Sequence, residues 1–169
     1  MTNTKPLVYV GIDPGFACCG IGVVSYDTCS LLFYAHLPEW TPHELYSSLQ
    51  WIKNEWSIYK AGVEHVHTMS NQGISSTGKF MKATGIIIGT LNGMRIPYYE
   101  ITPQKWKTIS PTLKGIKGET KTQKKNKSLT YVNERFPEKN FCNYKLKKKF
   151  KVDIADAICI AIYMYENSL

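Results

Sequence analysis

The stretch Leu7–Gly15, LVYVGIDPG, sets the strongest limit on what this chain can fold into. Leu7, Val8, Tyr9, Val10 and Ile12 are aliphatic or aromatic, a composition that favours a strand. The run stops at an acid, Asp13, and Pro14-Gly15 then turns the chain. An acid in that position either opens the turn or stands at the mouth of a buried strand, where a cleft can use it. The segment alone leaves both readings open. Gly15–Val24 (GFACCGIGVV) leads into a second apolar stretch. Ile21–Tyr26 and Ser30–Ala35 follow as strands, separated by the short polar turn Asp27-Thr28-Cys29. Neighbouring strands of this kind predict an antiparallel meander.

Helical spacing takes over at Trp40–Tyr59. Thr41 can cap, Pro42 suits the first helical position, and Glu44 completes a Thr-x-x-Glu box. Trp40 and Leu45 are spaced as a hydrophobic staple, and Leu45, Leu49, Ile52, Trp56 and Tyr59 form one apolar face. Ala61–Thr68 (AGVEHVHT) reads as a strand with Glu64 inside it, and a buried glutamate is costly without compensation. A polar loop, Met69–Lys79, leads to a helix from Ser76 or Thr77 with Phe80, Ala83 or Thr84, Ile87 and Leu91 as its stripe. Asn92-Gly93 stops it. Ile96–Ile101 is a strand that Pro97 confines to an edge. Thr102–Lys107 is a short helix or turn, with Trp106 anchoring it against the sheet. Lys125–Phe136 and Asp153–Asn167 are the remaining helices. The pattern is α/β, without internal repeats or a linker that divides the chain.

The 169 residues suit one domain, 1–169. The formal net charge is +8, from 21 Lys and Arg against 13 Asp and Glu. A basic excess favours an acidic partner such as nucleic acid, and it makes the position of each acid informative. Five cysteines at irregular spacing argue against a secreted disulfide framework. No Cys-x-x-Cys pair supports a zinc knuckle, and His36 and His43 show no repeated metal spacing. Cys18 and Cys19 are expected on opposite faces of a strand. No signal-like block opens the chain, and no apolar run reaches the roughly 18 residues of a membrane span. A reducing intracellular compartment and no membrane partner are expected.

Asp153-x-x-Asp156 places two acids on one face of the last helix, near its start, where backbone electrostatics favour them. Asp153 also suits an N-cap. Asp156 has no such explanation, because it interrupts the apolar run DIADAICIAI. Asp13, Glu64, Asp153 and Asp156 are therefore four candidate ligands, and oxygen donors suit Mg²⁺ or Mn²⁺. Spacing alone leaves open an unrelated set of caps and surface acids. The lysines complement the acids: Thr102–Lys127 and Lys145–Lys151 can hold DNA phosphates. Lys105, Lys107, Lys114, Lys117, Lys121, Lys124 and Lys125 are the candidate DNA contacts; Lys107 and Lys121 are the leading candidates for the reacting phosphate, although periodicity does not choose them from the other lysines. A solvated lysine face is the competing reading.

GIDPG at 11–15, VEHVH at 63–67 and VDIADAICIAIY at 152–163 resemble the RuvC-like Holliday-junction resolvases of the ribonuclease H-like superfamily. HTMSNQGISSTGKF at 67–80 and ITPQKWK at 101–107 resemble the phage, prophage or viral branch. The resemblance implies an α/β ribonuclease H-like fold with a central five-stranded mixed sheet flanked by helices. It implies Asp13, Glu64, Asp153 and Asp156 as ligands for two metal ions, with Lys107 and Lys121 beside the substrate and Lys121 assisting catalysis. His67 falls near the position of an aromatic wedge in bacterial members; with Asn71 it is expected at the DNA. The implied activity is paired symmetric cleavage of four-way junctions by a homodimer, leaving 5′ phosphate and 3′ hydroxyl ends. The Ser76–Leu91 helix would lie in the dimer interface, and a host helicase or viral replication factors would be partners. The competing functions are a broader branched-DNA endonuclease and a non-catalytic junction-binding protein of the same fold.

Overall fold

A computed structural model of the chain describes residues 4–15, 18–65, 74–139 and 148–169. The first strands are β1 (Leu7–Asp13), β2 (Cys18–Ser25) and β3 (Leu31–Pro38). They pair antiparallel as the expected meander. Helix α1 (Pro42–Glu55) starts at the expected capping box: Glu44 N–H donates to the Thr41 hydroxyl, and Thr41 N–H to the Glu44 carboxylate.

The helix ends earlier than its periodicity suggested. Trp56 closes α1 by donating its N–H to the Ile52 carbonyl at 2.8 Å, and β4 runs Ser57–Glu64. Trp56 and Tyr59 fall at helical spacing by coincidence. The β-branched and aromatic run from Ile58 pairs with β1 in parallel instead, Val8 opposite Ile58, so sheet pairing overrides local pattern. Tyr59 packs edge-on to Tyr9 and Tyr26.

After α2 (Ile74–Gly93) come β5 (Tyr98–Ile101) and the one-turn helix α3 (Pro103–Trp106). Helices α4 (Lys121–Arg135) and α5 (Lys148–Glu166) complete the chain. Helix α4 begins four residues before its apolar spacing does, at a second box, Thr120 with Gln123. Helix α5 begins five residues before Asp153. Lysine is a good helix former, so the basic run continues the helix outward from its buried part. Asp153 is therefore not an N-cap, and it lies beyond the first turn, where the dipole contribution fades.

The five-stranded sheet has the order β3-β2-β1-β4-β5, with β4 and β5 parallel to β1. Its two faces are packed differently. Val8, Val10, Ile12, Cys19, Ile21 and Val23 point to α1 and α2. The alternate residues face α5, which lies across the centre of the sheet, with α4 packed on its outer side. Helix α5 comes unusually near because Gly11 and Gly20 stand beneath it. A Cβ at Gly11 would collide with the Ala157 carbonyl, and one at Gly20 with the Asp153 carbonyl. Among the described residues no helix is long and apolar enough to cross a membrane.

Candidate active site

Strand register brings the first two acids together. The parallel pairing sets Ile12 opposite Val63, so the next residues, Asp13 and Glu64, end adjacent strands side by side. Both are on the α5 side, since Ile12 and Val63 belong to the opposite core. Helix α5 supplies Asp153 and Asp156, one turn apart. All four acids expected from the sequence thus meet at one end of the sheet: Asp13 senses the charge of Glu64, Asp156 and Asp153, Asp156 that of Glu64 and Asp153, and Glu64 that of Asp153.

The carboxyls are held in an unfavourable environment for negative charge. Burial pushes Asp13 well above the usual carboxylate range, and repulsion from Glu64, Asp156 and Asp153 adds to this. Burial also raises Glu64, opposed by the Trp106 hydrogen bond and by Lys107. Asp156 is raised to about 7, chiefly by burial; a Ser128 hydrogen bond and Lys107 oppose the rise. Crowded, desolvated oxygen donors match the chemistry of a hard divalent cation.

Two supporting side chains escaped the sequence reading. Trp106 does anchor its turn in the core, and its indole Nε1 also donates to Glu64 Oε1 at 2.9 Å. Buried Ser128, on α4, hydrogen-bonds Asp156. Neither has a local signal: Trp106 lies 42 residues from Glu64 in sequence.

A third finding corrects an expectation about histidine. His36 shows no metal spacing in sequence, yet its ring nitrogen lies within 4.8 Å of Cys18 Sγ and an Asp153 oxygen, which also lie that close to each other. Among the described residues this triad, and no three of the four acids, brings its donor atoms so close.

Beside the acids opens a cleft of about 500 Å³, lined by residues that include Lys107, Lys124, Lys127, Ser128, Asp153 and Asp156.

No family model matches the chain. The crossover junction endodeoxyribonuclease RuvC of Prochlorococcus marinus (strain MIT 9211) is 26% identical over 169 residues, covering 94% of this chain and 96% of the relative. Over nearly its whole length the chain is similar to this RuvC-type resolvase. RuvC of T. thermophilus, solved with a Holliday junction substrate, superposes with a TM-score of 0.66 at 18% identity, over 96% of this chain and 95% of that one. The fowlpox virus resolvase, solved with its substrate Holliday junction DNA, superposes with a TM-score of 0.61 at 18% identity, over 96% and 99%. The sheet and its flanking helices are thus the ribonuclease H-like fold of RuvC.

The lysines of this RuvC-like chain divide by position. Lys107 faces Glu64 and Asp156, with its Nζ 5.0 Å from the centre of the Trp106 ring. Lys124 lines the cleft. Lys127, the last residue of the expected basic segment but not one of its individually named contacts, lines it too and pairs with Glu119 at 2.6 Å. Lys105, Lys114 and Lys117 are exposed and are not among the cleft-lining residues. Lys121 and Lys125 place their backbone on α4, and their side chains lie outside the description; His67 and Asn71 lie outside the described residues altogether. His65 pairs with Glu100 at 2.8 Å on the neighbouring strand, in keeping with a packing role.

Proposed function

We propose that the chain is a divalent-metal-dependent endonuclease that resolves four-way DNA junctions by hydrolysing two symmetry-related phosphodiesters. The observation that carries this reading is the convergence of Asp13, Glu64, Asp153 and Asp156 at the end of a lysine-lined cleft. Bound Mg²⁺ or Mn²⁺, two ions per site, would supply an activated water and stabilise the departing 3′ oxygen.

The chain's own residues do the positioning. Asp13 and Glu64 are ligands whose spacing is set by backbone register. Asp153 and Asp156 close the set from the helix. Trp106 fixes the Glu64 carboxylate through its indole N–H, and Ser128 does the same for Asp156, so neither ligand must be ordered at the moment of binding. Lys107 brings a positive charge to the reacting phosphate, with Lys121 as a further candidate. Lys124 and Lys127 attract the flanking phosphates without reading sequence.

Paired incision requires two such sites. Helix α2 offers a surface for a homodimer: Met81 is 64% exposed, and Gly78, Gly85 and Gly89 leave open space above the backbone. A two-fold axis through such a surface would present two acid clusters to the two strands to be cut. The working compartment would be one that contains DNA, and a helicase or replication factor would deliver the junction.

Cleavage of a mobile four-way junction, beside linear duplex, flap and fork controls, tests the reading. Paired nicks with ligatable 5′ phosphate ends are expected only with divalent metal. Asp13→Asn and Asp156→Asn should bind the junction and fail to cut it. Equal cutting of flaps and forks would replace the resolvase with a broader branched-DNA nuclease. Tight junction binding without metal-dependent cutting would leave a binding protein of the same fold.

A further inference from the structure

Beside the acid cluster, β2 and β3 bring two side chains that junction cleavage does not use, Cys18 and His36, up to one that it does, Asp153 on α5. In the antiparallel register Gly20 stands opposite His36, and Cys18 opposite Pro38. Cys18 lies two residues from Gly20 and so shares its face, the face beneath α5. Gly20 has no side chain, so the α5 backbone descends onto it at Asp153. The same close approach carries the Asp153 carboxylate to Cys18, with Oδ2 2.6 Å from Sγ. The His36 ring completes the group, and the three donor atoms all lie within 4.8 Å of one another.

We propose that Cys18, His36 and Asp153 form a second metal site, for a borderline-soft cation of the Zn²⁺ type, and that filling it silences the nuclease. The donor set is one sulfur, one nitrogen and one oxygen. Thiolate and imidazole select Zn²⁺ over Mg²⁺, whose sites are built from oxygen. Around a tetrahedral ion with bonds of about 2.0–2.3 Å, neighbouring ligand atoms stand roughly 3.3–3.8 Å apart. Small side-chain adjustments take these three donors to that spacing. Three protein donors leave one position for water, and His36 and Asp153 are partly exposed, which gives the ion an entry route. Binding displaces the Cys18 thiol proton to solvent. Asp153 belongs to both groups. An ion held by Cys18 and His36 claims its carboxylate and repels a hard cation at the acids beside it.

The inhibitory half of this inference rests on the nuclease reading; the binding half does not, and it is measured separately. Co²⁺ added alone to the full-length, metal-free chain should give a saturable one-equivalent thiolate-to-metal absorption band, displaced by Zn²⁺. Cys18→Ser should abolish the band, and His36→Gln should weaken Co²⁺ binding at least tenfold. With Mg²⁺ in excess, stoichiometric Zn²⁺ should stop junction cleavage by the unmodified chain. His36→Gln, uninhibited at that concentration, should cut normally. No band, or a band that survives in Cys18→Ser, overturns the site. Equal Zn²⁺ inhibition of the unmodified chain and His36→Gln overturns the inhibitory role. Failure of all cleavage with the band intact would count against the nuclease reading and leave the metal site standing.

Discussion

The two faces of the central sheet are made by alternate residues of the same strands, and they are built to opposite rules. Toward α1 and α2, β1 presents Val8, Val10 and Ile12, all fully buried. Toward α5 it presents Tyr9, Gly11 and Asp13, which are an aromatic, a gap and an acid. The first face fills space with branched side chains and derives stability from apolar area. The second removes side chains in the middle so that a helix can come down on the backbone, and gathers charge at the end. A period of two lets one seven-residue strand serve a structural layer and a polar site together.

Substitutions on the two faces should therefore fail in different assays. The largest effect is expected from Asp13→Asn, with cleavage falling on the order of a hundred- to a thousandfold, the scale of losing one charge-stabilising group. Its metal-free melting temperature should not fall, and a single-turnover junction assay beside a thermal melt checks both. One residue earlier on the same strand, Ile12→Ala should cost about 2–5 kcal/mol of stability, read by urea denaturation, while divalent-metal affinity below the transition stays unchanged. If Ile12→Ala weakened metal binding as much as Asp13→Asn, the division between the faces would be wrong.

The metal-free protein should also show the acid face in its pH dependence. Asp156 in the folded chain keeps its proton up to about pH 7, whereas in the unfolded chain it loses it near 4. The folded state therefore binds more protons between those values, and stability falls as pH rises through the window. Asp156→Asn should raise the metal-free melting temperature above pH 7 and leave it nearly unchanged at pH 4 and below. A rise of equal size at both ends would mean that Asp156 carries no buried charge. The smallest effect belongs to the rim: Lys124→Ala should reduce the salt slope of junction binding by about one, with little change in cutting at saturation.

Much of this contrast was legible beforehand. Asp13 is marked by the strand that ends on it, and Asp156 by its place in an otherwise apolar helix. Both signals are local, and both acids arrive where they were expected. Glu64 was also located, although its strand begins earlier than its sequence pattern suggests. What stayed hidden depends on contacts between distant segments. Trp106 to Glu64, Ser128 to Asp156 and His36 to Asp153 each join elements whose meeting is decided by packing. The bound of α1 failed for a related reason: Tyr59 fits a helical stripe and a strand equally well, and only the presence of β1 as a pairing partner decides between them. The start of α4 was different, because Thr120-x-x-Gln123 was a readable cap that went unused.

Half of the acid set sits on α5, which follows all five strands of the described residues. As the protein leaves the ribosome, the sheet can form with Asp13 and Glu64 already in register while the other two acids are still unmade or undocked. If the acids are the metal ligands proposed above, such a nascent chain would have lysines that can attract nucleic acid before it has the full ligand set for cutting it. On the proposed nuclease reading, docking of the final helix would be the step that arms the molecule, and the order of synthesis would serve as its safety catch.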